Sequence, residues 1–185
     1  TTLTNGEAAV IKYPGPGATS KSFREFIIDF QDGLNLFDKN GARIVDAASR
    51  ASTDAADPED QGEKGINYRS EPFINRLARD SEIANVFSSV VHGDPATPVF
   101  KAYVGDPITV RVLNSQDLPR IHSFGIFGHE WRHDSKDPKS FIINDEGGLN
   151  TSRAFNLELI GGAGGTQQAS GDYLYNDRNF FQSFS

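Results

Sequence analysis

Residues 99–113, VFKAYVGDPITVRVL, carry the clearest strand pattern of the sequence. Residues 99–104 are rich in aromatic and β-branched side chains, and residues 108–113 alternate β-branched with polar ones. Such alternation is typical of a strand with one buried face. Gly105-Asp106-Pro107 between the two runs is a turn signal. The stretch therefore predicts two successive strands joined by a short turn.

Similar short segments recur on both sides of this stretch. Further strands are predicted at 23–30, 66–73, 122–131, 141–144, 154–160 and 172–175. Asn40-Gly41 predicts a hairpin turn within residues 34–45. Apolar residues at helical spacing in 74–91 predict one or two short helices. Residues 46–65 predict a polar surface loop, and the glycine run 161–165 predicts a flexible one. The pattern predicts an all-β, Greek-key β-sandwich.

The amino-acid composition disfavours several classes of partner and chemistry. The 185-residue chain has a net charge of −7, which disfavours nucleic acids and anionic membranes as partners. It has no Cys and no Met, so it offers no disulfide, thiol nucleophile or copper thiolate. No apolar run is long enough to span a membrane. No signal peptide is visible and the chain begins at Thr1, so we expect a processed or excised piece.

Three segments of this sequence resemble motifs of the multicopper oxidase family. AYVGDPITVRV at 102–112 is similar to the family's AYxGDxVxxRV, and HSFGIFGHEW at 122–131 is similar to HPFHLHGHxW. GDYLYNDR at 171–178 resembles the start of GDYLYHCHIxxH. The resemblance covers roughly residues 20–180 and is most specific in 99–131. It implies a cupredoxin-like β-sandwich over 22–185, with residues 1–21 as an extension or linker.

The family's chemistry needs ligands that this chain mostly lacks. A blue copper is held by two His and one Cys, often with an axial Met, and paired His-x-His motifs hold a trinuclear cluster. Residues two apart on a strand share a face, so one His-x-His strand can aim two imidazoles at one cluster. By resemblance, His122 stands at a blue-copper His position. The two cluster positions of the same strand hold Gly125 and Phe127.

The last motif has lost its ligands as well. The HCH positions hold Asn176, Asp177 and Arg178, and the later His position holds Gln182. Asp177 removes the thiolate, and the fixed positive charge of Arg178 would repel a metal ion. We therefore expect no copper site of the family type, and only His122 and His129 as residues for any remaining metal contact.

The resemblance also implies a context. It predicts a copper-free domain or fragment of a multicopper-oxidase-like protein, structural rather than catalytic, in an extracytoplasmic place (periplasmic, cell-surface or secreted). The family's closing GGLWGxxRV strand is missing after Ser185, so we expect a partner segment to supply it. The expected partners are other cupredoxin domains or chains of the same protein, with a homo-oligomer as one arrangement.

Two other interpretations remain open. HEWRH at 129–133 matches the zinc-peptidase pattern H-E-x-x-H, with Glu146 or Glu158 as a third ligand. That pattern needs a helix, because residues four apart on a strand are about 13 Å apart. Two glycines at Gly125 and Gly128 and the absence of a cap signal disfavour a helix. The other interpretation is a stand-alone structural or assembly module with no link to redox chemistry.

Overall fold

The computed structural model describes residues 8–14, 20–34, 37, 39–42, 63–69, 71, 73–115 and 121–177. The chain divides into two compact units. The first unit contains residues 1–29 and 100–180, and the second contains residues 30–99 and 181–185. The boundary predicted at residues 21–22 between an extension and a domain stays a prediction.

The described residues are mainly β-strands with short helices, which confirms the predicted all-β class. The strands are β1 (Ala8–Pro14), β2 (Ser20–Leu34), β3 (Glu63–Ile66), β4 (Ile108–Asn114), β5 (His122–Ile126), β6 (Trp131–Arg132), β7 (Ile142–Ile143), β8 (Asp145–Leu149), β9 (Ala154–Glu158) and β10 (Tyr175–Asp177). The helices are α1 (Phe73–Leu77) and α2 (Ser89–His92), with a 3₁₀ helix at Ile83–Asn85 between them. This confirms the short helices predicted in 74–91.

In the first unit, one sheet has the strand order β1-β2-β4-β9. The pairs β1–β2 and β4–β9 are antiparallel. Alternate side chains of β4 are buried at Ile108, Val110 and Val112, and Phe26 and Ile28 of β2 are buried in the same rhythm. Successive side chains of a strand point to opposite faces, so this burial is what the alternation in 108–113 predicts.

The second sheet of the first unit has the order β10-β5-β8, and β6 pairs with β7. A chain of aromatic rings connects the two sheets. Phe26 contacts Phe100 at 4.9 Å between ring centroids, and Phe100 contacts Tyr175 at 5.6 Å. Tyr175 contacts Phe124 at 6.3 Å, and Phe124 contacts Trp131 at 6.3 Å. Ring pairs at these separations pack favourably, so the core of this unit lies between the two sheets.

In the second unit, the end of β2 pairs with β3, with Phe30 opposite Ile66. The helical segment that follows is built around a buried charge. The Arg76 guanidinium on α1 donates hydrogen bonds to the carbonyl oxygens of Val86 at 2.9 Å and Gly93 at 3.1 Å. These bonds connect the start of the segment, through one side chain, to its middle and to the residue that follows it.

The strand prediction for residues 99–104 is wrong. Residues 99–104 do not form a strand, because their backbone enters a turn. The Tyr103 carbonyl accepts a hydrogen bond from the Asp106 N–H at 2.9 Å, and Gly105 has φ +83°. Gly147 and Gly148 lie inside β8, although glycine has a weak strand propensity. They fall where the register between β8 and β5 shifts, between the pairs His122–Leu149 and Phe124–Glu146, and Gly148 has φ +70°.

The glycine run 161–165 is packed rather than flexible. Gly162, Gly164 and Gly165 are buried. The Ala163 N–H donates to the Asp106 carbonyl at 3.0 Å, and the Ala163 carbonyl accepts from the Gly105 N–H at 2.9 Å. A Cβ on Gly162 would overlap the Asp106 carbonyl. Close approach of two backbones therefore explains the glycine here.

The strand predicted at 23–30 lies within β2, and those predicted at 141–144 and 154–160 are present with shorter bounds as β7 and β9. The strand predictions at 66–73 and 172–175 are wrong, because only Ile66 and Tyr175 of these ranges lie in a strand. The strand predicted at 122–131 is divided into β5 and β6 by a turn at Phe127 and Gly128. β3 ends at Ile66, where reciprocal bonds with Arg69 at 2.9 and 3.0 Å close a tight turn. The turn at Asn40-Gly41 is present, with φ +80° at Gly41. The second strand of that hairpin at 43–45 and most of the predicted loop 46–65 lie outside the described residues.

Candidate functional site

The centre of the candidate site is a histidine–aspartate pair on adjacent strands. β5 and β10 pair antiparallel, with Asp177 opposite Phe124. The Asp177 carboxylate reaches His122, with Oδ2 at 2.5 Å from the ring Nδ1. Its other oxygen accepts a hydrogen bond from the Ser123 N–H at 2.9 Å. His122 is only 2% exposed, so the pair lies inside the first unit.

The geometry of this pair defines its chemistry. A ring nitrogen that faces a carboxylate carries a proton, so Nδ1 of His122 acts as a donor to Asp177. That nitrogen is therefore unavailable as a metal ligand. The backbone bond from Ser123 fixes the carboxylate in turn. The arrangement orients an imidazole within a packed core, and it contains no soft donor for copper.

The neighbouring positions offer little to a metal. Gly125 lies opposite Asn176 in the β5–β10 ladder, and the Phe127 side chain is half exposed. Gly125 and Phe127 carry no ligand atom on their side chains. The Oδ1 atom of Asn176 is buried without a hydrogen-bond partner among the described residues. Arg178 and Gln182 lie outside the described residues, so their predicted roles stay predictions.

His129, the second predicted metal residue, has different surroundings. It follows the turn at Gly128 and is buried. Its Nδ1 faces the Phe127 carbonyl oxygen at 3.1 Å, and its ring meets Tyr173 edge-on at 4.6 Å. Across residues 8–177, as far as they are described, no group of three or more His, Asp and Glu side chains is placed to hold a metal ion.

The HEWRH segment does not form the helix that a zinc peptidase needs. Trp131–Arg132 is strand β6, paired with β7, and Trp131 is fully buried. His133 is half exposed, whereas His129 is buried. His133 contacts Glu146 of β8, with Nδ1 at 2.9 Å from Oε1. The sequence suggested Glu146 as a ligand, and the structure places it beside one histidine of the motif.

Glu146 is a site residue whose environment the sequence did not reveal. It is nearly fully buried, and its Oε2 has no hydrogen-bond partner within the described part of the chain. Its half-exposed partner His133 is 13 positions away in the sequence. Adjacent acids at 145 and 146 gave no signal of burial, because burial follows from the pairing of β8 with β5.

A second polar cluster anchors the turn before β4. The Arg24 guanidinium donates two hydrogen bonds to Asp106 Oδ2, at 2.6 and 3.0 Å. The Tyr103 N–H donates to the same oxygen at 3.1 Å. The bonds from Arg24 and then from Tyr103 hold the pKa of Asp106 below its ordinary value. The arrangement has a structural role, since it ties β2 to the turn before β4.

In the second unit, hydrogen bonds shift the pKa of Asp80. The Asn85 side chain donates to Asp80 at 2.7 Å, and the Glu82 N–H donates at 3.0 Å. These bonds, with the one from Asn85 largest, lower the pKa of Asp80. The carboxylate closes a turn just before the 3₁₀ helix, whose N-cap residue is Glu82, and this is a local structural role.

Comparison with known proteins gives no relative: no family model and no curated protein matches the chain. Among the residues that the structure describes, no helix is both long and apolar enough to cross a membrane.

Proposed function

We propose that this chain is a copper-free, cupredoxin-like domain of a multicopper-oxidase-like protein, with a structural and interface role. The observation that carries the proposal is the contact between His122 and Asp177. The resemblance assigns these two positions, 55 residues apart, to the His and Cys ligands of one blue copper. In the structure the two side chains meet at 2.5 Å.

The strand arrangement supports the same proposal. The two motif segments that the resemblance assigns to one copper region lie on adjacent strands, with Gly125 opposite Asn176. The aromatic core between two antiparallel-paired sheets suits the Greek-key sandwich that we propose as the architecture. Other cupredoxin domains of the same protein are the proposed partners, and an extracytoplasmic place follows from the same resemblance.

The residues at the site do not fit a copper centre of the family type. Asp177 supplies a hard carboxylate where a thiolate is needed, and it occupies Nδ1 of His122. Gly125 and Phe127 supply no donor at the cluster positions. We infer that the hydrogen-bonded pair replaces the metal as the connection between β5 and β10.

Copper content of the full chain tests the proposal. After incubation with Cu(II) and removal of free metal, we expect well below one copper per chain by elemental mass spectrometry. Stoichiometric copper with an intense blue absorbance or an unpaired-spin copper signal would overturn it. The intact mass of the native protein separates a domain of a larger oxidase from a stand-alone module.

A matched pair of variants tests whether residue 177 stands at the copper position. We expect Asp177→Cys to gain Cu(II) affinity and a thiolate-to-copper absorption band, because it places sulfur beside His122. Asp177→Ser is the control, with a similar volume and no soft donor. Equal copper binding by the two variants would contradict the assignment of this position.

A further inference from the structure

The exposed turn at residues 39–42 of the second unit contains the pair Asn40-Gly41. Gly41 has φ +80°, and a Cβ on it would meet nothing within 4 Å, so the main chain lies in open space here. An asparagine followed by glycine is reactive, because the next main-chain nitrogen can attack the side-chain carbonyl carbon and glycine has no Cβ to obstruct it. The turn therefore combines a reactive pair with access to water.

The attacking group would be the Gly41 nitrogen, whose N–H donates no hydrogen bond within the described part of the chain. The nitrogen that follows two other asparagines is engaged. The N–H after Asn67 donates to Gln31 Oε1 at 2.8 Å. The N–H after Asn114 donates to Asp29 Oδ1 at 3.2 Å. An engaged nitrogen must first lose its hydrogen bond, which raises the barrier to attack, so the exposed turn is the more reactive place.

We propose that Asn40 is a site of spontaneous deamidation. The Gly41 nitrogen forms a bond to Asn40 Cγ, its proton passes through solvent to the leaving nitrogen, and the bond from Cγ to Nδ2 breaks with release of ammonia. Water then opens the resulting five-membered imide at either carbonyl carbon, which leaves aspartate or isoaspartate at this position. The attack joins adjacent residues and is therefore favoured by proximity, and water is the only co-reactant.

The two products change the turn in different ways. Aspartate adds one negative charge to a chain that already carries −7. Isoaspartate adds the same charge and also routes the main chain through Cβ, which lengthens the turn. Because the length of a turn sets its geometry, isoaspartate alters the path of the chain around residues 39–42. The proposal is independent of the copper proposal, since it needs neither a metal nor the first unit.

Peptide mapping of the full chain by mass spectrometry tests the proposal, after incubation at neutral and at mildly acidic pH. The peptide with Asn40 should gain the mass difference between an amide and an acid and separate into two chromatographic forms. We expect Asn40 to react at least about tenfold faster than Asn67 or Asn114 in the same sample. The reaction should be slower at mildly acidic pH, because the attacking nitrogen must lose its proton.

Gly41→Ala is the matched variant, because it adds a Cβ beside the attacking nitrogen where a Cβ meets nothing within 4 Å. It should slow the reaction at Asn40 by about tenfold. The chain should stay folded, as circular dichroism can check. The wild type has its own control in Asn150, which is also exposed but is followed by Thr151 and should react slowly.

Cleavage by trypsin after Lys12 separates the other Asn-Gly pair of the sequence, Asn5-Gly6, which lies outside the described residues. An Asn40 that reacts no faster than Asn67, Asn114 and Asn150 would overturn the proposal. Equal rates at Asn40 in the wild type and in a folded Gly41→Ala variant would overturn it as well. If that variant does not fold, the comparison within the wild type decides alone.

Discussion

Replacing Asp177 by alanine should be among the most destabilising single changes in the first unit. The carboxylate accepts hydrogen bonds from His122 Nδ1 at 2.5 Å and from the Ser123 N–H at 2.9 Å. Since His122 is almost fully buried, water cannot easily replace the lost partner. Each of the two donors left unsatisfied costs about 1–3 kcal/mol, so the loss of unfolding free energy should be about 2–6 kcal/mol. Total stabilities are about 5–15 kcal/mol, so this is a large fraction.

Urea unfolding followed by tryptophan fluorescence measures the effect directly. Trp131 is the single tryptophan of the chain and is fully buried. Its ring contacts Phe124, which lies opposite Asp177 in the ladder. With a slope of about 2 kcal/mol per molar urea, the midpoint should fall by roughly 1–3 M. Asp177→Asn should cost less, because its amide oxygen can still accept from Ser123.

Asp172→Ala is the control, because Asp172 is an exposed acid shortly before β10. Its unfolding free energy should stay within about 0.5 kcal/mol of the wild type. If Asp177→Ala were equally mild, the His122–Asp177 bond would not stabilise the core, and the proposal that it replaces a metal connection would lose its physical basis.

Three further changes have defined outcomes. Asp106→Asn should destabilise the chain most above about pH 4, where the wild-type carboxylate is charged and pairs with Arg24. The difference should shrink as the pH falls through the lowered pKa of Asp106, because the wild-type carboxylate then becomes neutral too. Urea midpoints at two pH values check this. Gly162→Ala should cost more than about 3 kcal/mol in thermal unfolding, because a Cβ would meet backbone, whereas Gly41→Ala, also at positive φ but in open space, should cost about 1–2 kcal/mol. Arg76→Met should cost about 3–5 kcal/mol and speed hydrogen exchange across 73–93; unchanged exchange there would contradict the role of its buried hydrogen bonds.

Much of the fold was readable from local patterns. Alternation in 108–113 predicted β4, the aromatic run at 23–30 predicted most of β2, and helical spacing in 74–91 predicted the helices. The strand prediction for 99–104 was wrong although the composition of the run suits a strand. In the structure Phe100 packs between Phe26 and Tyr175 without being part of a strand. Strand propensity describes how well a side chain fits a pleated, half-buried sheet surface. Whether a given segment has such a neighbouring surface depends on the tertiary structure.

Only part of the candidate site could be predicted from the sequence. The motif resemblance singled out His122 as a remaining ligand position and Asp177 as a position where a ligand is lost, but it predicted no bond between them. The pair of His133 with buried Glu146 had no reliable signal, because the zinc motif assumed a helix where β6 lies. Contacts between strands distant in sequence depend on register, which local patterns do not fix.

The all-β class, the short helices and the absence of any sulfur ligand follow from the sequence alone, because they depend on composition and on short-range periodicity. The contact of Asp177 with His122 and the packing of Gly162, Gly164 and Gly165 against other backbone depend on the tertiary structure. So does the helical segment, which buries Arg76 and exposes Ile83 and Val90. Each of these features joins or orients residues through long-range packing, and the free energy of such packing belongs to the folded chain as a whole.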